Sequence, residues 1–549
     1  MKIALAQLNY HIGNFQDNKE KIIRNIDKAR EAGAELVVFS ELSVTGYYPH
    51  DLLERKEFIE HSQKAIEEIA RHCNGIAALV GGPSINRSPK GKMLYNSAFF
   101  LKDGKIESVH HKTLLPTYDV FDEYRHFEPN RTFELIELNG KKLAVTICED
   151  LWYNQPVLSA FGREKLYAVS PIKEYAKQNP DLVINLSASP FSYNQEKLRK
   201  DILLNNARDF NIPIIYVNQV GAQTEIIFDG GSLFIDAQGE VVSELAYFEE
   251  DFRIIDTENT ESKDTIREYE PIEKIYDALI LGIKDYFGKM GFKQATLGLS
   301  GGIDSAVTVV LAAKALGPEN VRVLLMPSKY SSEHSITDAR DLAKNLGIQY
   351  EIVNIHEMVD AFEHSLVPLF EGRHPDVTEE NIQARIRGTL MMAISNKFGH
   401  ILLNTSNKSE AAVGYGTLYG DMNGGLSVLG DVYKSDVFAL ARFINREREI
   451  IPENTIIKPP SAELRPDQKD SDSLPDYEIL DKILFNYIEL AKSPNEIIAL
   501  GFDKETVHMA VKKVNMNEYK RFQTPPILRI SSKAFGFGRK MPLVARYPY

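Results

Sequence analysis

The chain has 549 residues, more than one ordinary core accommodates, so two or more domains are expected. A composition of 43% hydrophobic and 26% charged residues fits a water-soluble globular protein, and a net charge of −13 argues against a general nucleic-acid binder. No run of about 18 apolar residues offers a membrane span. Met1-Lys-Ile-Ala-Leu-Ala-Gln7 runs straight into a strand pattern, so no signal peptide is expected. Two cysteines, Cys73 and Cys148, are too few for a disulfide framework or a four-thiolate metal site. The expected compartment is a reducing cytoplasm, where a lone cysteine can serve as a nucleophile.

In chain order, a strand is predicted over residues 2–7 and a helix over 16–33, with Ile22, Ile26 and Ala29 on one face. Glu35-Leu-Val-Val-Phe39 reads as a buried strand that delivers Ser40 and Glu41 to its C-terminal end. Further strands are expected at 77–80, 97–101, 143–147, 182–186 and 214–217, with hairpins at Asp103-Gly104 and around Gln238-Gly239. Strands interleaved with helices, plus paired strands, indicate an α/β sandwich.

Three polar residues stand where strands or loops end: Glu41, Lys112 in Val109-His-His-Lys-Thr-Leu-Leu-Pro116, and Cys148 after Leu143-Ala-Val-Thr-Ile147. Singly, each has an ordinary explanation, packing for the cysteine and solvation for the other two. Together, in the words Glu41-Leu-Ser-Val-Thr-Gly-Tyr-Tyr-Pro49, Lys112-Thr-Leu-Leu-Pro-Thr-Tyr118 and Cys148-Glu-Asp-Leu-Trp152, they resemble the glutaminase branch of the nitrilase superfamily. That resemblance implies an α-β-β-α sandwich with Glu41 as general base, Lys112 on the oxyanion side and Cys148 as nucleophile. It further implies that Tyr118, Ser189 and Lys197 hold the amino-acid end of glutamine.

Residues 248–272 shift from alternating apolar residues to charge. Boundaries are therefore expected at 1–250 for the first domain, 251–271 for a covered connection and 272–549 for the second domain. Helical periodicity resumes at Ile272, Ile275, Leu279 and Ile283.

Ala295-Thr-Leu-Gly-Leu-Ser-Gly-Gly-Ile-Asp-Ser-Ala306 reads as a buried strand, a small-residue turn and the start of an apolar helix closed by Gly317. Such a turn offers backbone N–H groups and a helix N-terminus to an anion. Ser300 and Ser305 add hydroxyls and Asp304 a carboxylate suited to magnesium. No G-x-x-x-x-G-K-[ST] is present, so this is not a Walker loop. The Ser-Gly-Gly-x-Asp-Ser pattern resembles the pyrophosphate loop of the ATP pyrophosphatase superfamily. Strands at 321–326 and 350–353 extend a doubly wound parallel sheet, whose ligands sit at the carboxyl ends of strands. Asn381 is expected to begin a helix carrying Arg385 and Arg387. Ile401-Leu-Leu-Asn-Thr-Ser-Asn-Lys-Ser-Glu410 leads a strand into a polar loop, and Lys434 opens a helix. Pro459–Pro475 is long, charged and proline-punctuated, either a disordered surface loop or a lid of the kind that covers active sites. The tail around Tyr519–Pro526 and Ser532–Gly538 gathers cations and aromatics, which suit an anionic dinucleotide as well as they suit a nucleic acid.

The words Ser300–Ser305, Asn407–Glu410, Gly414–Asp421, Pro460–Pro466 and Tyr519–Pro526 resemble NAD synthetase, and with the first half the whole chain resembles the glutamine-dependent NAD synthetases. The second domain is then an adenine nucleotide alpha hydrolase-like fold. By this resemblance Gly298, Leu299, Ser300, Gly301, Gly302, Ile303, Asp304, Ser305, Thr405, Lys434 and Ser461 face ATP, and Asp304 and Glu410 hold Mg2+. Asn381, Arg385, Glu410, Lys520 and Lys533 contact deamido-NAD. An internal passage for ammonia and a homo-oligomer are also implied; no nucleic-acid or membrane partner is expected. The rival readings are another glutamine-fed adenylylating ligase, a tRNA-modifying protein on the same loop, and a regulatory ATP binder. Against them stand the nitrilase-type words around Cys148, the lack of cysteine in 273–549, and the retention of Glu41, Lys112, Asp304 and Glu410.

Overall fold

A computed structural model describes residues 1–156, 165–259, 268–466 and 468–546. It divides into two compact units, Met1–Glu268 and Tyr269–Tyr549.

The first unit contains strands β1 (Lys2–Gln7), β2 (Leu36–Val38), β3 (Ala77–Ile85), β4 (Leu94–Lys102), β5 (Lys105–His111), β6 (Ile136–Leu138), β7 (Lys141–Ile147), β8 (Leu182–Ser187), β9 (Ile214–Asn218), β10 (Val220–Gln223), β11 (Ile226–Asp229), β12 (Leu233–Ile235), β13 (Val241–Glu244) and β14 (Asp251–Asp256). One six-stranded sheet runs β14-β1-β2-β3-β4-β5, another β13-β12-β9-β8-β7-β6, and β10 and β11 form a separate pair. Period-two alternation sorts the side chains. Ile3 and Leu5 point inward, packing with Val38, Leu79 and Phe100 against Val145, Ile147, Leu186, Val217 and Phe234 of the facing sheet. Ala4, Ala6 and Val37 point outward onto Ile22, Ile26, Ile66 and Ile69 of the helices Phe15–Glu31 and Lys56–Ala70. On the far side, Ala144, Val183 and Ile214 pack on Leu203 and Ala207 of the helix Glu196–Phe210. The layers are thus helix, sheet, sheet, helix. Asp103 and Gly104 both take positive φ (50° and 78°), as a two-residue hairpin turn between β4 and β5 requires.

The expected connection over 251–271 opens differently. Residues 251–256 are β14, paired antiparallel along the whole of β1. Their apolar positions Phe252 and Ile254 join the outer core, a packing that the neighbouring charges obscure in the sequence. Residues 260–267 of that stretch lie outside the described residues.

The second unit holds a five-stranded sheet ordered β17-β16-β15-β18-β19, parallel throughout, with β15 (Ala295–Gly298), β16 (Val321–Leu325), β17 (Gln349–Ile352), β18 (Ile401–Asn404) and β19 (Leu426–Ser427). The helix Ile303–Leu316 follows β15 and is buried from Ala306 to Ala313. Met391 of the helix Val377–Phe398 packs on Leu324 and Leu402. That helix starts before Asn381 because Asp376 caps it: its side chain accepts from Thr378 N, and Glu379 returns to Asp376 N. No helix among the described residues is long and apolar enough to cross a membrane.

Candidate active sites

In the first unit, Glu41, Lys112 and Cys148 come together at strand ends. Glu41 lies past β2 and Lys112 directly past β5, where Lys112 N donates to Asn96 O at 2.8 Å. Cys148 opens a 3-10 turn after β7 with φ 44°, a left-handed conformation. Asp150 fixes that turn: Oδ2 accepts from Ile147 N (2.9 Å), while Oδ1 accepts from Thr113 N (2.9 Å) and Leu114 N (2.8 Å). One carboxylate therefore ties the cysteine turn to the lysine loop. Burial pushes the Asp150 carboxyl up to about 7, against the pull of those backbone donors.

Lys112 Nζ is fully buried and lies 2.7 Å from Glu41 Oε1 and 2.7 Å from Glu123 Oε1. Asn96 Nδ2 donates to Glu41 Oε1 (2.7 Å) and Ala188 N to Glu41 Oε2 (3.0 Å), which fixes the carboxylate plane. Burial works against the charge on Lys112, but Glu123 and Glu41 hold its pKa well above the usual lysine value. Burial drives the Cys148 thiol well above its ordinary range; the Glu41 carboxylate adds to that rise, and Lys112 opposes it. The cysteine thus sits near a carboxylate and a buried ammonium, with burial favouring its thiol form. Glu123, which also accepts from Tyr47 OH (2.7 Å), is pushed up to about 7 by burial, with Lys112 opposing. Glu149 is buried beside the cysteine, and its Oε1 accepts from Tyr118 OH (2.9 Å), Tyr167 OH (2.7 Å) and Gln155 Nε2 (2.9 Å).

In the second unit, the turn after β15 lines a cavity of about 330 Å³. Gly301 has φ +80°, and a Cβ there would lie 2.2 Å from Ser335 O, so only glycine fits. Ser300 Oγ accepts from Gly302 N (3.1 Å) and Ser305 Oγ donates to Gly302 O (3.0 Å). No side chain caps the following helix, leaving its first N–H groups open to an anion. Lys434 Nζ donates to Asp304 Oδ2 and lies 3.3 Å from Glu410 Oε1, while Asn407 Nδ2 holds Asp304 Oδ1 at 2.8 Å. Burial lifts the Glu410 carboxyl to about 8; Lys434 opposes this, and Asp304 and Asp470 reinforce it. Two carboxylates thus share one ammonium, with the Asp470 charge close by, a set of hard oxygen donors that fits a divalent cation.

The carbon-nitrogen hydrolase family matches residues 2–263 and the NAD synthase family residues 275–524. The glutamine-dependent NAD(+) synthetase of a Synechocystis species is 45% identical over 99% of this chain and 99% of its own length. The chain belongs to the glutamine-dependent NAD(+) synthetase family. The enzyme of that name from Thermotoga maritima is 41% identical over 100% of this chain and 99% of its own. The solved glutamine-dependent NAD+ synthetase from Acinetobacter baumannii, in complex with ADP, shares 39% identity, covers 99% of this chain and 98% of its own, and superposes with a TM-score of 0.78.

Set on this synthetase chain, the sequence-predicted residues fall into two groups. Gly298, Leu299, Ser300, Gly302, Ile303, Asp304, Ser305, Thr405, Glu410, Lys434 and Ser461 all line the cavity. Asn381, Arg385, Lys520 and Lys533 do not. Asn381 Oδ1 accepts from Thr417 Oγ1 (2.6 Å) and Arg385 Nε donates to Leu418 O (3.2 Å). Lys520 lines a small adjoining pocket that shares Glu410 with the cavity, its Nζ bound to Gly414 O (2.8 Å) and Gly416 O (2.7 Å). The backbone carbonyl of Lys533 accepts from Lys408 (3.1 Å). In the first unit, Tyr118 reaches Glu149 next to Cys148, and Ser189 N is held by Asn218 Oδ1 (2.9 Å). Lys197 is exposed on the first turn of its helix. Sequence reasoning missed Glu123, Glu149 and Asp470. It also chose Arg385 over Arg387, the arginine that lines the cavity, with Nε on Met326 O (3.1 Å).

Proposed function

We propose that this synthetase makes NAD+ from deamido-NAD, ATP and glutamine, with residues 1–250 as glutaminase and 272–549 as adenylylating ligase. The observation that carries the reading is the buried Glu41–Lys112–Cys148 cluster on a chain that also carries the uncapped Ser300–Ser305 loop. Cys148 Sγ attacks the glutamine amide carbon while its proton passes to Glu41, and the developing oxyanion draws on the Lys112 ammonium. As the tetrahedral intermediate collapses, Glu41 returns that proton to the amide nitrogen, so ammonia leaves, a γ-glutamyl thioester remains and the carboxylate is restored. Water, losing its proton to Glu41, then releases glutamate and restores the thiol. Tyr118, Ser189 and Lys197 are assigned to the amino-acid end of the substrate.

In the second unit the nicotinate carboxylate of deamido-NAD attacks the α-phosphorus of ATP, pyrophosphate leaves, and ammonia displaces AMP to give the amide. Activation is needed because a bare carboxylate has no leaving group for ammonia to displace. Gly298, Leu299, Ser300, Gly301, Gly302, Ile303 and Ser305 cradle the nucleotide and its departing pyrophosphate at the helix N-terminus. Thr405 and Ser461 complete the pocket, and Lys434 faces the phosphates. Asp304 and Glu410 are the residues that would hold Mg2+, which when bound neutralises phosphate charge. Asn381, Arg385, Glu410, Lys520 and Lys533 are assigned to deamido-NAD, with Arg387 as a further candidate. A cytoplasmic homo-oligomer without nucleic-acid or membrane partners completes the reading.

The test supplies wild type and Cys148→Ala with ATP, magnesium, deamido-NAD and either glutamine or ammonium, and follows NAD+. The variant should fail with glutamine and keep its rate with ammonium. Failure of wild type with both nitrogen sources, while pyrophosphate still exchanges into ATP with another acid, would overturn the substrate assignment.

A further inference from the structure

Near the glutaminase cluster, but outside it, a second polar group converges on a shared point. Asp51 and Glu54 lie three residues apart on the 3-10 turn His50–Glu54, where such residues share a face. His126 approaches from the end of the turn Glu123–Arg125. The three ligand atoms lie within 4.8 Å of one another. His126 is only 8% exposed, and its Nε2 is buried without a hydrogen bond, 3.7 Å from Asp51 Oδ1 and 3.6 Å from Glu54 Oε1.

The other side of the ring bears on the tautomer. Tyr48 OH lies 2.7 Å from His126 Nδ1 and donates its own proton to Asp122 O at 3.3 Å. In the tautomer in which the Tyr48 oxygen accepts from Nδ1–H, the one a metal-bound ring takes, Nε2 turns its lone pair toward the two carboxylates. In that tautomer the group calls for a positive charge beside the carboxylates, which Arg125 supplies in this structure and a metal ion would supply in its place. A ring whose far nitrogen donates to a fixed oxygen is the usual arrangement of a metal-bound imidazole.

We propose that His126, Asp51 and Glu54 form a divalent transition-metal site of the zinc class. One imidazole and two carboxylates suit Zn2+ better than Mg2+, which prefers oxygen alone. Bonds of about 2.0–2.2 Å in a tetrahedron set ligand atoms ~3.4 Å apart, so the two histidine–carboxylate spacings need close by only a few tenths of an ångström. Arg125, half-exposed, now supplies the counter-charge at 3.0 Å from Asp51 Oδ1 and 3.5 Å from Glu54 Oε1, and it is free to swing into solvent. A bound metal would tie the 50–54 turn to the turn that carries Glu123, the partner of Lys112.

The full chain, stripped of metal by chelation, would be titrated with Zn2+ against a chromophoric chelator. One tight equivalent is expected. Asp51→Asn, an exposed change that leaves packing intact, and His126→Gln should each weaken it about tenfold or more. Cys148→Ser should leave it unchanged, and a Co2+ derivative should show no thiolate-to-metal charge-transfer band. Absence of tight binding, unchanged affinity in Asp51→Asn, or loss of binding in Cys148→Ser would overturn the assignment.

Discussion

Glu123→Gln isolates the role of the second carboxylate on Lys112. Glu123 keeps a buried ammonium from belonging wholly to Glu41, since both carboxylates lie 2.7 Å from Nζ. Removing one partner of a buried ion pair costs about 3–5 kcal/mol when the other charge is stranded. Here Lys112 retains Glu41, and glutamine leaves an oxygen to accept from Nζ and Tyr47, so the loss should fall to about 2 kcal/mol, near that of one charge-assisted hydrogen bond. The variant's Lys112 binds Glu41 more tightly, which makes that carboxylate a weaker base and the ammonium less available to an oxyanion. If the tighter Lys112–Glu41 pairing, of the same ~2 kcal/mol order, must be given up as the oxyanion forms, then at 1.36 kcal/mol per tenfold glutamine-dependent NAD+ formation should fall ~30-fold. The assay runs glutamine and ammonium side by side at saturating ATP and deamido-NAD; the ammonium rate should not change. A glutamine rate within about threefold of wild type, or an equal fall with both nitrogen sources, would refute this account of Glu123.

Further outcomes follow from other contacts. Alkylation of Cys148 by iodoacetamide should be slow at neutral pH and still rising at pH 9, because burial and Glu41 keep the thiol protonated beyond its ordinary value of 9.0; a plateau below pH 8 would contradict that. Gly301→Ala should cut NAD+ formation more than tenfold with glutamine and ammonium alike, since the new methyl meets Ser335 O, while glutamine hydrolysis alone persists. Arg199→Met strands Asp229, which now receives two hydrogen bonds from the guanidinium (2.9 and 2.6 Å), and should destabilise the first unit by about 3–5 kcal/mol, read as a lowered calorimetric transition.

What the sequence disclosed tracks the kind of signal each residue carries. Strand runs such as Leu143–Ile147 and Leu182–Leu186 announce themselves by continuous apolar character, and they deliver Cys148 and Ser187 to one edge of their sheet. The uncapped helix after Ser300–Ser305 was equally legible, because its chemistry depends on backbone and small residues at consecutive positions. Glu123 was not. It sits in an irregular stretch without periodicity, and only the fold brings it onto Lys112. The helix Val377–Phe398 spreads polar and apolar residues around its circumference, so nothing in the sequence told the cavity face of Ala384, Arg387 and Met391 from the neighbouring face of Asn381 and Arg385. Charge likewise hid β14, whose pairing with β1 is a matter of backbone hydrogen bonds and not of side-chain pattern.

The members of the glutaminase cluster come from different layers. Glu41 and Lys112 follow strands of one sheet, and Cys148 follows a strand of the other. The spacing within this proposed catalytic cluster is therefore a gauge of how the two layers sit on each other. A small slide within the Leu5–Val38–Val145–Leu186 core would part the thiol from its base while every backbone ladder stayed whole. Mild urea or a conservative core substitution should accordingly silence glutamine use before circular dichroism registers any loss of structure.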